Sequence, residues 1–304
     1  MTVYVVVLNW NGKDDTLTCL ESLAQMTSPH QTVVVDNGST DDSVSMIKKT
    51  FPDVHLIETE ENLGYAGGNN VGVQFALDQG ADHIFILNND TTVEPTIIEA
   101  FLKRDLPLQG GSARLMKDKE RLDHLGGNWN PELGVFEMIG KGARADAWMA
   151  PIALDYVCGV ALFVKAEIFR KIGLFDPRFF LFWEESDFCH RAKKEGIVPT
   201  TCPEAILYHK VSASFTGGKP HTTYFWWRNR LLWIEKNCEK KERERLTKNI
   251  QRDFHRTLKL YLLKSVQSVF SKKTEERLLR LQTYRAKLRG ISDYRRKRFG
   301  NIPY

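Results

Sequence analysis

The chain has 304 residues, 42% of them hydrophobic, and a formal net charge of +5. That size suits one large domain or two smaller ones around a real core, and no uncharged apolar run reaches the ~18 residues a membrane span needs. Five scattered cysteines, Cys19, Cys158, Cys189, Cys202 and Cys238, form no Cys-x-x-Cys pair, which argues against a zinc site and for a reducing, cytoplasmic setting.

The apolar N-terminus is short and has no basic leader, so it reads as a first strand rather than a signal peptide. Residues 3–8 are almost wholly β-branched or aromatic, as in a strand buried on both faces. Leu17, Leu20, Leu23 and Ala24 recur at helical spacing, giving a helix over about 13–26. A second strand covers 32–35. Ser39 with Asp42 three residues on reads as a capping box that opens a helix to about residue 50. A third strand at 54–57, a helix over 65–79 and a fourth strand at 84–87 follow. This alternation makes an α/β protein with a mostly parallel sheet and right-handed crossovers.

The organising stretch is Asp82-His83-Ile84-Phe85-Ile86-Leu87-Asn88-Asn89-Asp90, an apolar run stopped by three polar residues. Three strands end alike, at Asn9 and Asn11, at Asp36 and Asn37, and at Asn88, Asn89 and Asp90. Parallel strands present their carboxyl ends on one sheet edge, where ligands bind in open α/β sheets. Turn chemistry alone accounts poorly for three such clusters in register. Asn70 shares a helix face with Ala66, Val73 and Leu77, so it either bonds loop backbone or helps hold a ligand. The glycines at 64, 67 and 68 do not make the dinucleotide-binding Gly-x-Gly-x-x-Gly pattern.

Residues 105–152 are Gly-rich with few periodic runs, and 126–131 read as loop or hairpin. A strand at 157–164 and a short helix at 165–171 follow. An aromatic stretch, residues 175–183, then runs into Glu184, Glu185 and Asp187. Clustered carboxyls beside apolar surface have raised pKa values and suit a general base. The structural alternatives are an acidic first helical turn for Glu184 and Glu185 and an i,i+4 ion pair of Asp187 with Arg191. Short strands at 198–201 and 205–208 end at His209.

Together these motifs resemble the family-2 glycosyltransferases of the GT-A fold, in particular the bacterial rhamnosyltransferase-like branch. The resemblance is carried by Val7-Leu8-Asn9-Trp10-Asn11-Gly12, Val34-Val35-Asp36-Asn37-Gly38-Ser39, Asn62-Leu63-Gly64-Tyr65-Ala66-Gly67-Gly68-Asn69-Asn70, Leu87-Asn88-Asn89-Asp90, and Phe175-Asp176-Pro177-Arg178 running into Glu184-Glu185-Ser186-Asp187. It covers about residues 3–235 and implies a GT-A catalytic domain over 1–238, with a nucleotide-binding half at about 1–104 and an acceptor half at 105–238.

The resemblance also implies roles. Asp36 and the stretch Leu8, Asn9 and Asn11 would surround the nucleotide of the donor, with Asn62, Gly64, Asn70, Asn88 and Asn89 nearby. Asp90, at the family's Asp-x-Asp position, and His209 would hold Mg²⁺ or Mn²⁺. Asn88 replaces the motif's first Asp, which leaves open whether it meets metal or phosphate. Glu185 would be the base of an inverting transfer, with Glu184 and Asp187 the other candidates, and Trp183 and Gly159 would lie on the acceptor side. The implied reaction moves a sugar, rhamnose first, from a UDP- or dTDP-sugar to a glycan or lipid-linked hydroxyl in surface polysaccharide synthesis. A non-catalytic sugar-nucleotide-binding module and a nucleotidyltransferase are the alternatives.

The remainder, 239–304, reads as a basic helical region. It carries twenty Lys/Arg and seven Asp/Glu, a net of +13, against −8 for residues 1–238. Ile250, Phe254, Leu258, Tyr261, Leu262 and Val266 recur at helical spacing among Arg and Lys. Such a stripe fits an anionic membrane surface or packing on protein, a homodimer partner included. No nucleic-acid-binding module is recognisable, so no nucleic acid is expected.

Overall fold

The computed structural model describes residues 1–211, 219–269 and 274–301. It opens with β1 (Val3–Asn9), α1 (Lys13–Leu23), β2 (Gln31–Asp36), α2 (Ser43–Thr50), β3 (His55–Glu58), α3 (Gly64–Asp78) and β4 (His83–Asn88). β1 pairs in parallel with β2 and β4, and β2 with β3. The reason is legible in β1. Val5 and Val7 face a core shared with Leu20, Leu23 and Ile47, and Tyr4 and Val6 face a second core shared with Val73 and Ala76. A strand apolar on both faces needs helices on both sides of the sheet.

The chain continues through β5 (Thr91–Val93), α4 (Ile97–Arg104), β6 (Leu108–Leu115), β7 (Asp118–Leu122), β8 (Gly126–Asn130), β9 (Val135–Ile139), β10 (Tyr156–Val157), β11 (Ala161–Lys165), α5 (Ala166–Ile172), α6 (Glu184–Lys194) and β12 (Thr200–His209). The main sheet runs β3-β2-β1-β4-β11-β6-β12-β5, with β7 beside β6. Its first four strands are parallel. β11 is antiparallel to β4 and β6, β12 is parallel to β6, and β5 is antiparallel to β12. A small sheet orders β10-β8-β9.

Four sequence expectations need correction. The Gly-rich 105–152 segment holds β6 to β9, because Gly110 and Gly111 lie under Val157 and Leu207, where a Cβ would stand 2.5 and 2.8 Å away. The strand read at 157–164 is broken at residues 158–160. The two short strands before His209 are one, β12, with an irregularity between Cys202 and Ile206. Ser39 does not cap α2. Its backbone N–H donates to Asp36 Oδ1 (2.9 Å), and its hydroxyl accepts from Asn9 Nδ2 (3.1 Å) and the Asn11 N–H (2.9 Å). α2 starts four residues later, where Asp41 Oδ1 accepts from the Ser43 hydroxyl and N–H.

The chain forms two compact units, one of Met1–Trp129, Phe136–Pro177 and Glu184–Val211, the other of Asn130–Val135, Arg178–Trp183 and Ser212–Tyr304. The second holds α7 (Pro220–Asn237), α8 (Lys240–Val269) and α9 (Glu275–Arg295), so it begins before residue 238 and takes α7 with the C-terminal helices. α7 and α9 pack closely: a Cβ on Gly290 would stand 2.5 Å from the Tyr224 carbonyl oxygen. Fully buried Arg228 and Asn229 of α7 hold the 178–183 turn. Arg228 donates to the carbonyls of Arg178, Phe179 and Gly300, and Asn229 Nδ2 to those of Phe179, Leu181 and Phe182. Phe180, Phe182 and Trp183 of that turn have positive φ, 63°, 68° and 77°, a costly state for bulky residues. Trp183 packs on Trp226 and Trp233. The apolar stripe on α8 is split, with Ile250 buried while Leu262 and Val266 stand exposed.

Candidate active site

The carboxyl ends of β1, β2 and β4 are tied by a relay of side chains. Asn89 Nδ2 donates to the Thr16 hydroxyl (2.9 Å), which donates to Asn9 Oδ1 (2.7 Å), and Asn9 Nδ2 donates to Asp36 Oδ2 (2.7 Å). Asn11, at φ 50°, accepts the N–H groups of Thr40 and Asp41 on its side-chain oxygen. A Cβ on Gly12 would stand 2.6 Å from Asn89 Nδ2, so glycine lets that loop pass the amide. Asn37 Nδ2 donates to Asn62 Oδ1, which also accepts from the Gly64 N–H. Leu8 lies in register between Val35 and Asn88. The expected donor residues thus converge on one sheet edge, and their polar groups hold its loops in place. Asn70 differs. Its amide both donates to and accepts from the Phe175 backbone, 2.8 and 3.0 Å, so of its two readings the loop bond is observed.

Beside β4, Asp90 Oδ1 lies 3.2 Å from His209 Nε2, and His209 Nδ1 lies 2.9 Å from Asp123 Oδ2. Burial pulls the His209 pKa down, but hydrogen bonds and charge from Asp123 and Asp90 outweigh it and raise it to about 9. An oxygen and a nitrogen donor therefore meet, with a carboxylate behind the imidazole, the arrangement that orients metal-binding histidines. Among the described residues no cluster of three His, Cys, Asp or Glu could hold an ion. Mg²⁺ and Mn²⁺ sites often take one or two protein ligands and fill the rest from substrate phosphates and water. The buried Asn88 Oδ1 also accepts no hydrogen bond among the described residues. The donor set fits a divalent ion completed by a diphosphate.

The turn at residues 158–160, between β10 and β11, links the pieces. The Val160 carbonyl accepts from the Asn88 N–H (3.0 Å). The Gly159 carbonyl accepts from the Tyr65 hydroxyl (2.8 Å). Cys158 Sγ lies 3.3 Å from His124 Nε2, next in sequence to Asp123. A Cβ on Gly159 would be 3.3 Å from Glu185 Cγ, so the glycine leaves the carboxyl side chain its room.

Glu184 is buried and Glu185 half-buried at the start of α6, and the buried Oε2 of each lacks a hydrogen-bond partner among the described residues. Burial, then the charge of Glu185, pushes the Glu184 pKa well above the ordinary carboxyl range. Burial raises Glu185 as well. The deeper Glu184 keeps its proton longer, leaving Glu185 as an unusually basic carboxylate. Asp187, fully buried, bonds Arg191 Nε at 3.0 Å, and Arg191 also donates to the Ile172 and Leu174 carbonyls. The helix ion pair is therefore the observed arrangement for Asp187, and it anchors α6.

The model of the family described as glycosyl transferase family 2 matches residues 4–106, the stretch that carries β1 to α4. Residues 4–106 thus carry a match to glycosyl transferase family 2, the family the motifs resemble. The chain is 26% identical over 253 residues to N-acetylglucosaminyl-diphospho-decaprenol L-rhamnosyltransferase of Mycobacterium tuberculosis, covering 70% of this chain and 82% of the relative. It is 25% identical over 238 residues to the low-salt glycan biosynthesis hexosyltransferase Agl10 of Haloferax volcanii, covering 75% and 74%. Among solved structures, GalNAc-T7 with UDP, GalNAc and Mn²⁺ matches 98% of the chain and 56% of its own length, at a TM-score of 0.61 and 13% identity. That likeness supports the GT-A fold. The named relatives are transferases, which disfavours the binding-module and nucleotidyltransferase alternatives.

Four residues of the candidate site have no role in the sequence reading. Thr16 is the centre of the amide relay, Asp123 backs His209, His124 meets Cys158, and Tyr65 holds Gly159. Asp123 and His124 leave a signal, a charged pair wedged between an apolar Leu122 and Leu125. Thr16 leaves none, since a helical Thr is commonplace, and Tyr65 lies inside the Asn62–Asn70 stretch that carries the resemblance, with nothing local to mark its bond to Gly159.

Proposed function

We propose that this glycosyltransferase inverts configuration, uses Mg²⁺ or Mn²⁺, and moves a hexose from a UDP- or dTDP-sugar to a hydroxyl of a glycan or lipid-linked acceptor. Rhamnose is the first sugar to test, on the strength of the similarity to the mycobacterial rhamnosyltransferase. The observation that carries the reading is the Glu185 carboxyl, raised in pKa and short of a hydrogen-bond partner, beside Gly159. The same unit holds Asp90 and His209.

The residues divide the work. Asp36, with Leu8, Asn9 and Asn11, holds the nucleotide at the ends of β1 and β2. Asp90 and His209 would hold the ion, with Asp123 orienting His209. When bound, the ion neutralises charge building on the departing diphosphate. Glu185 takes the proton of the acceptor hydroxyl as its oxygen attacks the anomeric carbon and the carbon–phosphate-oxygen bond breaks. One base opposite the leaving group gives one displacement and hence inversion. Gly159 keeps the approach to Glu185 open, and Trp183, next in sequence to Glu184, is the candidate acceptor contact.

The test has two parts. UDP or dTDP should raise Tm only with Mn²⁺ present, since a ligand of the folded state stabilises it in proportion to RT ln(1+[L]/Kd). Glu185→Gln should retain that shift and lose turnover by ~10²–10⁴-fold. A nucleotide shift indifferent to chelator argues against the metal, and full turnover of Glu185→Gln transfers the base to another carboxyl.

A further inference from the structure

The exposed apolar side chains of the C-terminal helices are concentrated at one end of the α8–α9 pair. Leu262, Leu263 and Val266 of α8 and Leu278 and Leu279 of α9 are exposed, from 43% at Leu278 to 61% at Val266. The helices run antiparallel: α9 starts six residues after α8 ends, Lys287 of α9 pairs with Asp253 near the middle of α8 at 2.7 Å, and Phe254 and Tyr261 of α8 line one groove with Arg285, Arg289, Ser292 and Arg296. That groove holds about 430 Å³. The late residues of α8 therefore lie beside the early residues of α9, and the exposed leucines and valine share one tip.

Helical spacing puts tip and groove on one face. Leu278 and Arg285 stand two turns apart on α9, and Arg285, Arg289, Ser292 and Arg296, the last at the helix's C-terminal cap, follow one another by three or four residues. Phe254, Leu258, Leu262 and Val266 do so along α8. This face is apolar at one end and arginine-lined along the rest. Arg289 and Arg298 flank Asp293 at 3.5 and 3.9 Å. Arg285 and Arg296 are exposed and make no ion pair among the described residues.

We infer that this face of α8 and α9 docks on an anionic phospholipid bilayer, with the Leu262/Val266/Leu278 tip set into the headgroup boundary and Arg285 and Arg296 meeting lipid phosphates. Charge complementarity selects this occupant. A second copy would bring two arginine rows face to face, while a bilayer offers apolar chains and phosphate in the order the surface presents. No described helix is long and apolar enough to cross a membrane, so the contact is peripheral. It depends on neither the donor nor the mechanism proposed above, and it is read without substrate.

Flotation of the full chain with vesicles of phosphatidylcholine and phosphatidylglycerol, against phosphatidylcholine alone, tests it. The wild type floats with the anionic vesicles. L262D/V266D/L278D abolishes flotation, and R285E/R296E weakens binding to anionic vesicles by about tenfold or more. All five positions are exposed, and an unchanged Tm together with an unchanged nucleotide-induced shift confirms folding. A wild type that stays at the bottom of the gradient overturns the inference. So does flotation by the variants equal to that of the wild type, or a dimer in sedimentation that the same substitutions dissolve while wild-type flotation is absent.

Discussion

Two adjacent glutamates with unequal burial can divide one proton between them, and the pH behaviour of each follows. Glu184 has a raised folded pKa, so the folded state holds its proton more tightly than the unfolded state. Its favourable contribution is complete below the ordinary glutamate value, about 4.3, and is lost as pH rises through the folded value. Glu184→Gln should therefore melt closer to the wild type at pH 4 and gain on it as pH rises, in a pair of Tm-against-pH curves. For Glu185, also raised, the base form is lost as pH falls, so the acid limb of kcat/KM should lie above the ordinary glutamate range. A limb at or below that range would count against Glu185. Asp123 acts through His209. Asp123→Asn should weaken Mn²⁺ binding about 10–100-fold by calorimetry, whereas a purely structural Asp123 would lower Tm and leave the affinity of the folded protein alone.

The strands were legible because β1, β2 and β4 are apolar on both faces and stop at Asn and Asp. What stayed hidden is what those polar residues bond. Ser39 looked like a helix cap because its spacing to Asp42 is right, yet Asp36, Asn9 and Asn11 compete for it, and a contact across two loops has no local signature. The sequence also marks Glu184 and Glu185 as an acidic cluster, but burial alone distinguishes their roles. The 178–183 turn was the least legible part, since bulky residues at positive φ break the usual preference. Its support lies in α7. Asn229→Ala would remove the side-chain hydrogen bonds to the Leu181 and Phe182 carbonyls, while Phe179 keeps that of Arg228, and should cost roughly 2–4 kcal/mol, read as a fall in Tm or in denaturant midpoint.

Charge along the molecule is lopsided, with the acidic majority before residue 239 and a net of +13 after it. The described tail is not a uniformly free stripe: Leu246 and Ile250 are buried, while the leucine and valine tip stands exposed, as do Arg285 and Arg296. Vesicle binding should then weaken steeply with added salt, because the arginine contacts are screened over about 8 Å at physiological ionic strength, while the tip's contribution persists. The 178–183 turn has a bearing on biogenesis. Its carbonyls are gripped by Arg228 and Asn229, some fifty residues downstream. During synthesis, Glu184 and Glu185 leave the ribosome well before the residues that fix the turn preceding them. A nascent chain halted ahead of residue 228 would carry every strand of the main sheet and still lack the hydrogen bonds of Arg228 and Asn229 that hold the 178–183 turn.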